Sequence, residues 1–102
     1  MTFVQLKYIL TIAETKSLNK AAEQLYVSQP SLTNALKELE KEVGITIFFR
    51  TGRGVTLTND GVEFLTYARE LYREYEQLLQ RYGEGGSYKK KFAVSTSTTL
   101  LR

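Results

Sequence analysis

The sequence contains no histidine, no cysteine and no tryptophan, and a single proline among 102 residues. Without cysteine there is no disulfide scaffold, no thiolate metal site and no Cys nucleophile. Without histidine the commonest general base and the commonest metal ligand are missing, which excludes metal-assisted hydrolysis and Ser-His-Asp chemistry. No apolar run approaches the roughly 20 residues that span a bilayer. The opening Met1-Thr2-Phe3-Val4-Gln5 lacks the basic-then-apolar pattern of a secretory signal. The expectation is a soluble, cytoplasmic protein with no membrane partner, no metal, no cofactor and no catalytic residue. The low proline content and 42% hydrophobic residues point to a folded, helix-rich chain, long enough for one small domain with a core.

Charge is unevenly spread. Residues 1–58 carry seven basic side chains against five acidic ones, residues 59–82 three against five, and the remainder adds Lys89-Lys90-Lys91 and Arg102 against Glu84. A net charge of +3 and a pI near 9.2 are compatible with nucleic acid but do not select it.

Hydrophobic spacing predicts a helix over 3–15, where Phe3, Leu6, Leu10 and Ala13 recur at helical intervals and Val4, Tyr8 and Ile12 widen the stripe. Ser17 is a candidate N-cap for a shorter helix burying Leu18, Ala21, Ala22 and Leu25. Tyr26-Val27 leaves room only for a turn. Ser28 then caps a third helix with Pro30 in its first turn, where the missing N–H costs nothing. Leu32, Ala35, Leu36, Leu39 and Val43 form its apolar face and Gly44 its left-handed stop. Two short strands are expected next, 45–49 and 54–57, joined by Arg50-Thr51-Gly52-Arg53 as a hairpin. Thr58 can cap a long helix over 59–82, where Leu65, Ala68, Tyr72, Tyr75, Leu79 and Tyr82 step by three and four and Phe64, Leu71 and Leu78 add a row every seven residues. Gly83 ends it, 83–90 reads as a hinge, and 91–102 begins a further strand.

Two helices joined by a three-residue turn, then a third helix with a capped polar start and a hairpin behind it, follow helix-turn-helix logic with a wing. The outer face of the third helix shows Gln29, Ser31, Thr33, Asn34 and Lys37. Amide and hydroxyl side chains of this kind can bond base edges in a major groove. Any solvated helix face also looks like this; the helix-turn-helix and the wing favour the functional reading. Glu38, Glu40 and Glu42 read as part of a solvated face and suggest no paired-carboxylate enzyme.

The run Ala21-Ala22-Glu23-Gln24-Leu25-Tyr26-Val27-Ser28-Gln29-Pro30-Ser31-Leu32-Thr33 resembles the signature of LysR-type transcriptional regulators. Phe48-Phe49-Arg50, Arg53, Val55-Thr56-Leu57-Thr58 and Gly61 resemble that family's wing and the start of its linker helix, so the likeness covers about 3–82. It implies a bacterial regulator fragment: a mainly α fold with a winged helix-turn-helix over 1–58, a linker and dimerisation helix over 59–82, and in 91–102 the first strand of an effector-binding domain.

The resemblance also implies roles. Gln29, Pro30, Ser31, Thr33, Asn34 and Lys37 match recognition-helix positions, with Arg50 anchoring phosphate and Arg53 entering a narrow A·T-rich minor groove. Asn34 stands where the family often carries a basic residue, which tilts the expectation toward adenine. Lys7, Lys16 and Lys20 read as surface lysines. The partners implied are double-stranded DNA and a second copy of the chain, paired through Leu65, Ala68, Leu71, Tyr72, Tyr75, Leu78, Leu79 and Tyr82, with a tetramer open to the intact protein. Ser97, Thr98 and Thr99 are candidates for contacting a small-molecule effector once the whole effector domain is present. The competing class is a winged module that binds proteins, or has an architectural role, without reading DNA. Exposed aromatics on the third helix would favour it, and that helix has none.

Overall fold

A computed structural model describes residues 1–83. Its elements run α1 (Phe3–Thr15), α2 (Leu18–Leu25), α3 (Gln29–Val43), β1 (Phe48–Thr51), β2 (Gly54–Leu57) and α4 (Asn59–Tyr82), with β1 and β2 paired antiparallel. The chain divides into two units, Met1–Glu70 and Leu71–Arg102. The expected hinge over 83–90, the strand over 91–102 and Ser97, Thr98 and Thr99 lie outside the described residues, apart from Gly83. Among the described residues no helix is long and apolar enough to cross a membrane, and no group of three acidic side chains could hold a metal ion.

In the first unit the three helices close on Ile9, Ile12, Leu18, Ala21, Ala22, Leu32, Leu36 and Leu39, and the hairpin adds Phe48 and Val55. Ala21 and Ala22 carry no bulk beyond Cβ, which lets the backbone of α2 lie close to its neighbours. In α1 the buried row is Leu6, Ile9 and Ile12, whereas Phe3 and Val4 are 41% and 57% exposed. The expected stripe therefore omits Ile9 and overreaches at Phe3 and Val4. Ile9 lies one turn from both Leu6 and Ile12 and is fully buried, while Tyr8, Leu10 and Ala13 pack partly buried against the same core.

Each helix start is held by a hydroxyl. Thr2 forms a capping box with Gln5, Ser17 Oγ accepts from Lys20 N at 3.1 Å, and Ser28 Oγ accepts from Ser31 N at 3.2 Å. Such caps satisfy amides that the helix leaves unpaired. The stops differ in kind. Gly44 is left-handed with φ 77°, and so are the non-glycine caps Lys16 (φ 59°) and Tyr26 (φ 58°).

The first strand begins later than the spacing predicts. Residues 45–47 are not strand, and β1 pairs Phe48 with Leu57 through to Thr51 with Gly54. The reason is competition for backbone groups. Ile47 N donates to Glu40 Oε2 at 2.7 Å, and Ile47 O accepts from Thr58 N at 2.9 Å. The Thr58 hydroxyl donates to Thr46 O and accepts from Gly61 N at 2.8 Å. The segment before β1 is thus bonded to α3 and to the start of α4, which leaves it no ladder to join.

Candidate nucleic-acid interface

The start of α3 is built by its own cap. Ser28 Oγ accepts from the Ser31 amide and donates to Ser31 Oγ at 2.9 Å, so the Ser31 hydroxyl keeps its own proton for another acceptor. Pro30 lies at the first turn, where it withholds only an N–H that no helical carbonyl would accept. Leu32, Leu36 and Leu39 are buried on the opposite face. Pro30, Ser31, Asn34 and Lys37 are exposed, and Gln29 and Thr33 are half-buried. Pro30, Ser31, Asn34 and Lys37 are therefore open on this helix, while Gln29 and Thr33 lie at the border of its apolar face.

The wing contributes the cations. Alternation along the strand places Arg50 on the same side as the buried Phe48, opposite Val55. From there its Nη2 reaches Thr33 Oγ1 at 3.5 Å, a long hydrogen bond that spans from β1 to α3. Arg53 sits in the two-residue turn between the strands. Its amide donates to Thr51 Oγ1 at 3.2 Å while the Thr51 hydroxyl donates to Gly54 O at 3.3 Å, which tightens the turn and leaves the Arg53 side chain in solvent.

The wing is also tied to the end of α1. Val55 N donates to Lys16 O at 3.2 Å, and Gly54 has φ 138° with so little room that a β-carbon would lie 2.3 Å from the same oxygen. Glycine at 54 thus permits a close backbone crossing as well as a turn. Ser17, Asn19, Gln29, Arg50 and Thr51 line a pocket of about 190 Å³ between the start of α2, the start of α3 and the hairpin. Asn19 and Thr51 were not singled out by sequence. Spacing alone gives no sign that the start of α2 would face the hairpin.

Glu40 is the residue most misjudged by sequence. It is half-buried rather than solvated, and its Oε2 accepts from both Ile47 N at 2.7 Å and Phe48 N at 3.3 Å. The available signal was position: Glu40 adjoins Leu39 and follows Leu36 by one turn, at the border of the apolar face.

Two of the residues expected at a pairing surface are occupied elsewhere. Leu65 and Ala68 are 1% and 4% exposed, with Leu65 packed into the domain core. Neither has area left for a second chain, so the candidate pairing stripe begins at Leu71. In the second unit Leu71, Leu78, Leu79 and Tyr82 are 41–58% exposed. Tyr72 and Tyr75 are half-buried, their ring centres 5.6 Å apart. Partial burial raises the pKa of the Tyr72 hydroxyl above its ordinary value, and the nearby negative charge of Glu76 adds to this.

Comparison with known proteins gives a consistent picture. Residues 3–62 match the family described as bacterial regulatory helix-turn-helix protein, lysR family. The HTH-type transcriptional regulator CitR of Bacillus subtilis (strain 168) is 39% identical over 98 residues, 93% of this chain and 34% of that protein. Among solved structures, the complex of the CbnR DNA-binding domain with DNA is similar with a TM-score of 0.75 and 37% identity, over 79% of this chain and 93% of that one. The complex of the BenM DNA-binding domain with catB site 1 DNA is similar with a TM-score of 0.77 and 31% identity, over 94% of this chain and 100% of that one. The chain spans 24–34% of the length of the curated relatives ClcR and CitR.

Proposed function

This chain belongs to the lysR family of bacterial regulatory helix-turn-helix proteins and carries that family's DNA-binding domain, a module of transcription regulation and not of catalysis; from that premise we propose how it meets DNA. Gln29, Pro30, Ser31, Thr33, Asn34 and Lys37 face the major groove. Gln29 and Asn34 are the base readers, since carboxamides pair bidentately with adenine. Lys37 and Arg50 neutralise phosphates, and Arg53 at the hairpin tip enters the adjoining minor groove, where A·T-rich sequence is narrow and most negative.

One observation carries this reading. The polar side of α3 and the guanidinium of Arg50 converge on the same side of the fold, close enough for Arg50 to bond Thr33. A surface built only for solubility has no reason to bring a wing cation onto the start of a capped helix. The absence of exposed aromatics on α3 argues against a protein-binding use of the same face.

We further propose that the functional species is a homodimer paired through Leu71, Tyr72, Tyr75, Leu78, Leu79 and Tyr82, working in the cytoplasm. Water-exposed leucines at a seven-residue spacing lose free energy at about 25 cal/mol per Å² relative to burial, and pairing two such helices removes that cost. Titration of labelled duplexes with Gln29→Ala and Arg50→Ala variants tests the division of labour. Gln29→Ala is expected to lose about 1–3 kcal/mol of discrimination at one base position. Arg50→Ala should weaken binding to all sequences and reduce the salt slope by about one. Indistinguishable behaviour of the two variants would refute it.

A further inference from the structure

We infer that Glu40 is a positioning residue for DNA binding: its carboxylate fixes the wing against the recognition helix and so delivers Arg50 to its phosphate. The inference rests on the reading of Arg50 given above and extends it to an acidic residue that never touches DNA itself.

Glu40 belongs to α3, the same helix that carries Gln29 and Asn34. Its Oε2 receives the amides of Ile47 and Phe48, at 2.7 and 3.3 Å, immediately before and at the start of β1. Arg50 lies two residues beyond Phe48 on the same side of that strand. A carboxylate receiving two N–H groups is a charge-assisted contact, stronger and more directional than its neutral equivalent. Ile47 lies outside the hairpin, so its amide has no ladder to join, while Phe48 is the first residue of β1. The Arg50–Thr33 bond, at 3.5 Å, is too long to hold the wing by itself. The Val55 amide ties β2 to Lys16 O at the end of α1, and Thr58 holds the carbonyls of Thr46 and Ile47, just ahead of β1, to the start of α4. The Glu40 pair, 2.7 Å to Ile47 just ahead of β1 and 3.3 Å to Phe48 at its start, is the backbone contact that refers the entry of the wing to the helix that reads bases.

Electrostatics makes the test sharp, because positioning and charge predict opposite signs. Removing an acidic side chain from a DNA-binding domain should by itself tighten binding, since phosphates repel carboxylates. If Glu40 positions the wing, Glu40→Ala should instead bind DNA about tenfold more weakly, the value of one lost charge-assisted hydrogen bond. Its salt slope should fall by about one, as it does when Arg50 is lost. Glu40→Gln also removes the charge but keeps an acceptor oxygen at the same reach, and should bind at least as tightly as the unaltered protein. In the Glu40→Ala, Arg50→Ala double variant the two losses should not add, and discrimination set by Gln29 should survive in all three.

A Glu40→Ala variant that binds as tightly as Glu40→Gln would overturn the inference. So would one that weakens binding with an unaltered salt slope, which is the signature of a reduced folded fraction. Amide hydrogen exchange of the DNA-free protein supplies an arm that does not depend on Arg50. Glu40→Ala should speed exchange at Ile47, Phe48 and the β1 amides while the α1 and α2 amides stay protected. Unchanged exchange at Ile47 and Phe48 would also overturn it. Should Arg50→Ala leave the salt slope intact, the assignment of Arg50 as phosphate anchor fails, and the exchange arm still decides whether Glu40 holds the wing.

Discussion

The α-carbon of Gly61 lies against the backbone carbonyl of Ile47, so close that a β-carbon at position 61 would sit 2.1 Å from that oxygen. The same oxygen accepts the Thr58 amide at 2.9 Å. The first turn of α4 is thereby pressed onto the segment that leads into the wing, and glycine is needed for contact and not for an unusual dihedral. Gly61→Ala gains up to about 1 kcal/mol of helix propensity but forces backbone against backbone, an overpacking cost of about 1–3 kcal/mol or more. A net loss of stability in urea unfolding is expected. A stabilised variant would mean that the two segments can separate freely.

The left-handed caps give a contrasting pair. Tyr26 has φ 58° while its side chain is 94% exposed, so it carries the steric cost of the conformation with almost no packing in return. Tyr26→Gly is expected to raise stability by about 0.5–1 kcal/mol once the extra freedom of glycine in the unfolded chain is counted. Gly44→Ala should lower it by about 1 kcal/mol, from conformation alone, because no atom lies within 4 Å of the added carbon. Thermal unfolding of both variants reads the two signs.

These residues also show what could be read from sequence. Gly44 was legible as a helix stop because glycine announces a left-handed residue. Lys16 and Tyr26 adopt the same conformation without any such mark. Ser17, Ser28 and Thr58 were legible as caps, because a hydroxyl before an apolar-periodic run has a local physical use. The start of β1 was not. Ile45, Thr46 and Ile47 have strand-like side chains, and only the tertiary arrangement reveals that Glu40 and Thr58 take their backbone partners. The polar side of α3 could be read directly, by subtracting its apolar face. The pairing stripe was read too long, because periodicity cannot say that Leu65 and Ala68 are already used by the domain's own core.

The pairing stripe yields a clean substitution. Leu79 is 46% exposed in the single chain, so an aspartate there disturbs little of the chain's own packing. In a dimer seam it would be a buried, unpaired charge, which is costly. Leu79→Asp should therefore sediment as a monomer while its unfolding midpoint at low concentration stays unchanged. Dimeric sedimentation of this variant would place the interface elsewhere.

The wing yields a sequence preference. With Arg53 at the tip of the hairpin, exchanging A·T for G·C pairs opposite the wing should weaken binding by the unaltered protein through a wider, less negative groove. Arg53→Ala should be indifferent to that exchange. Equal sensitivity in the two proteins would remove Arg53 from the minor groove.

The most direct measurement is selection of binding sites from a pool of random duplexes by the unaltered protein and by Gln29→Ala. The unaltered protein should enrich a partly palindromic site whose half-site centres lie about 34 Å, or a multiple of that, apart. Gln29→Ala should enrich the same site with one position in each half relaxed. Failure of the unaltered protein to enrich any sequence, or recovery of an identical site by Gln29→Ala, would contradict sequence reading by the start of α3.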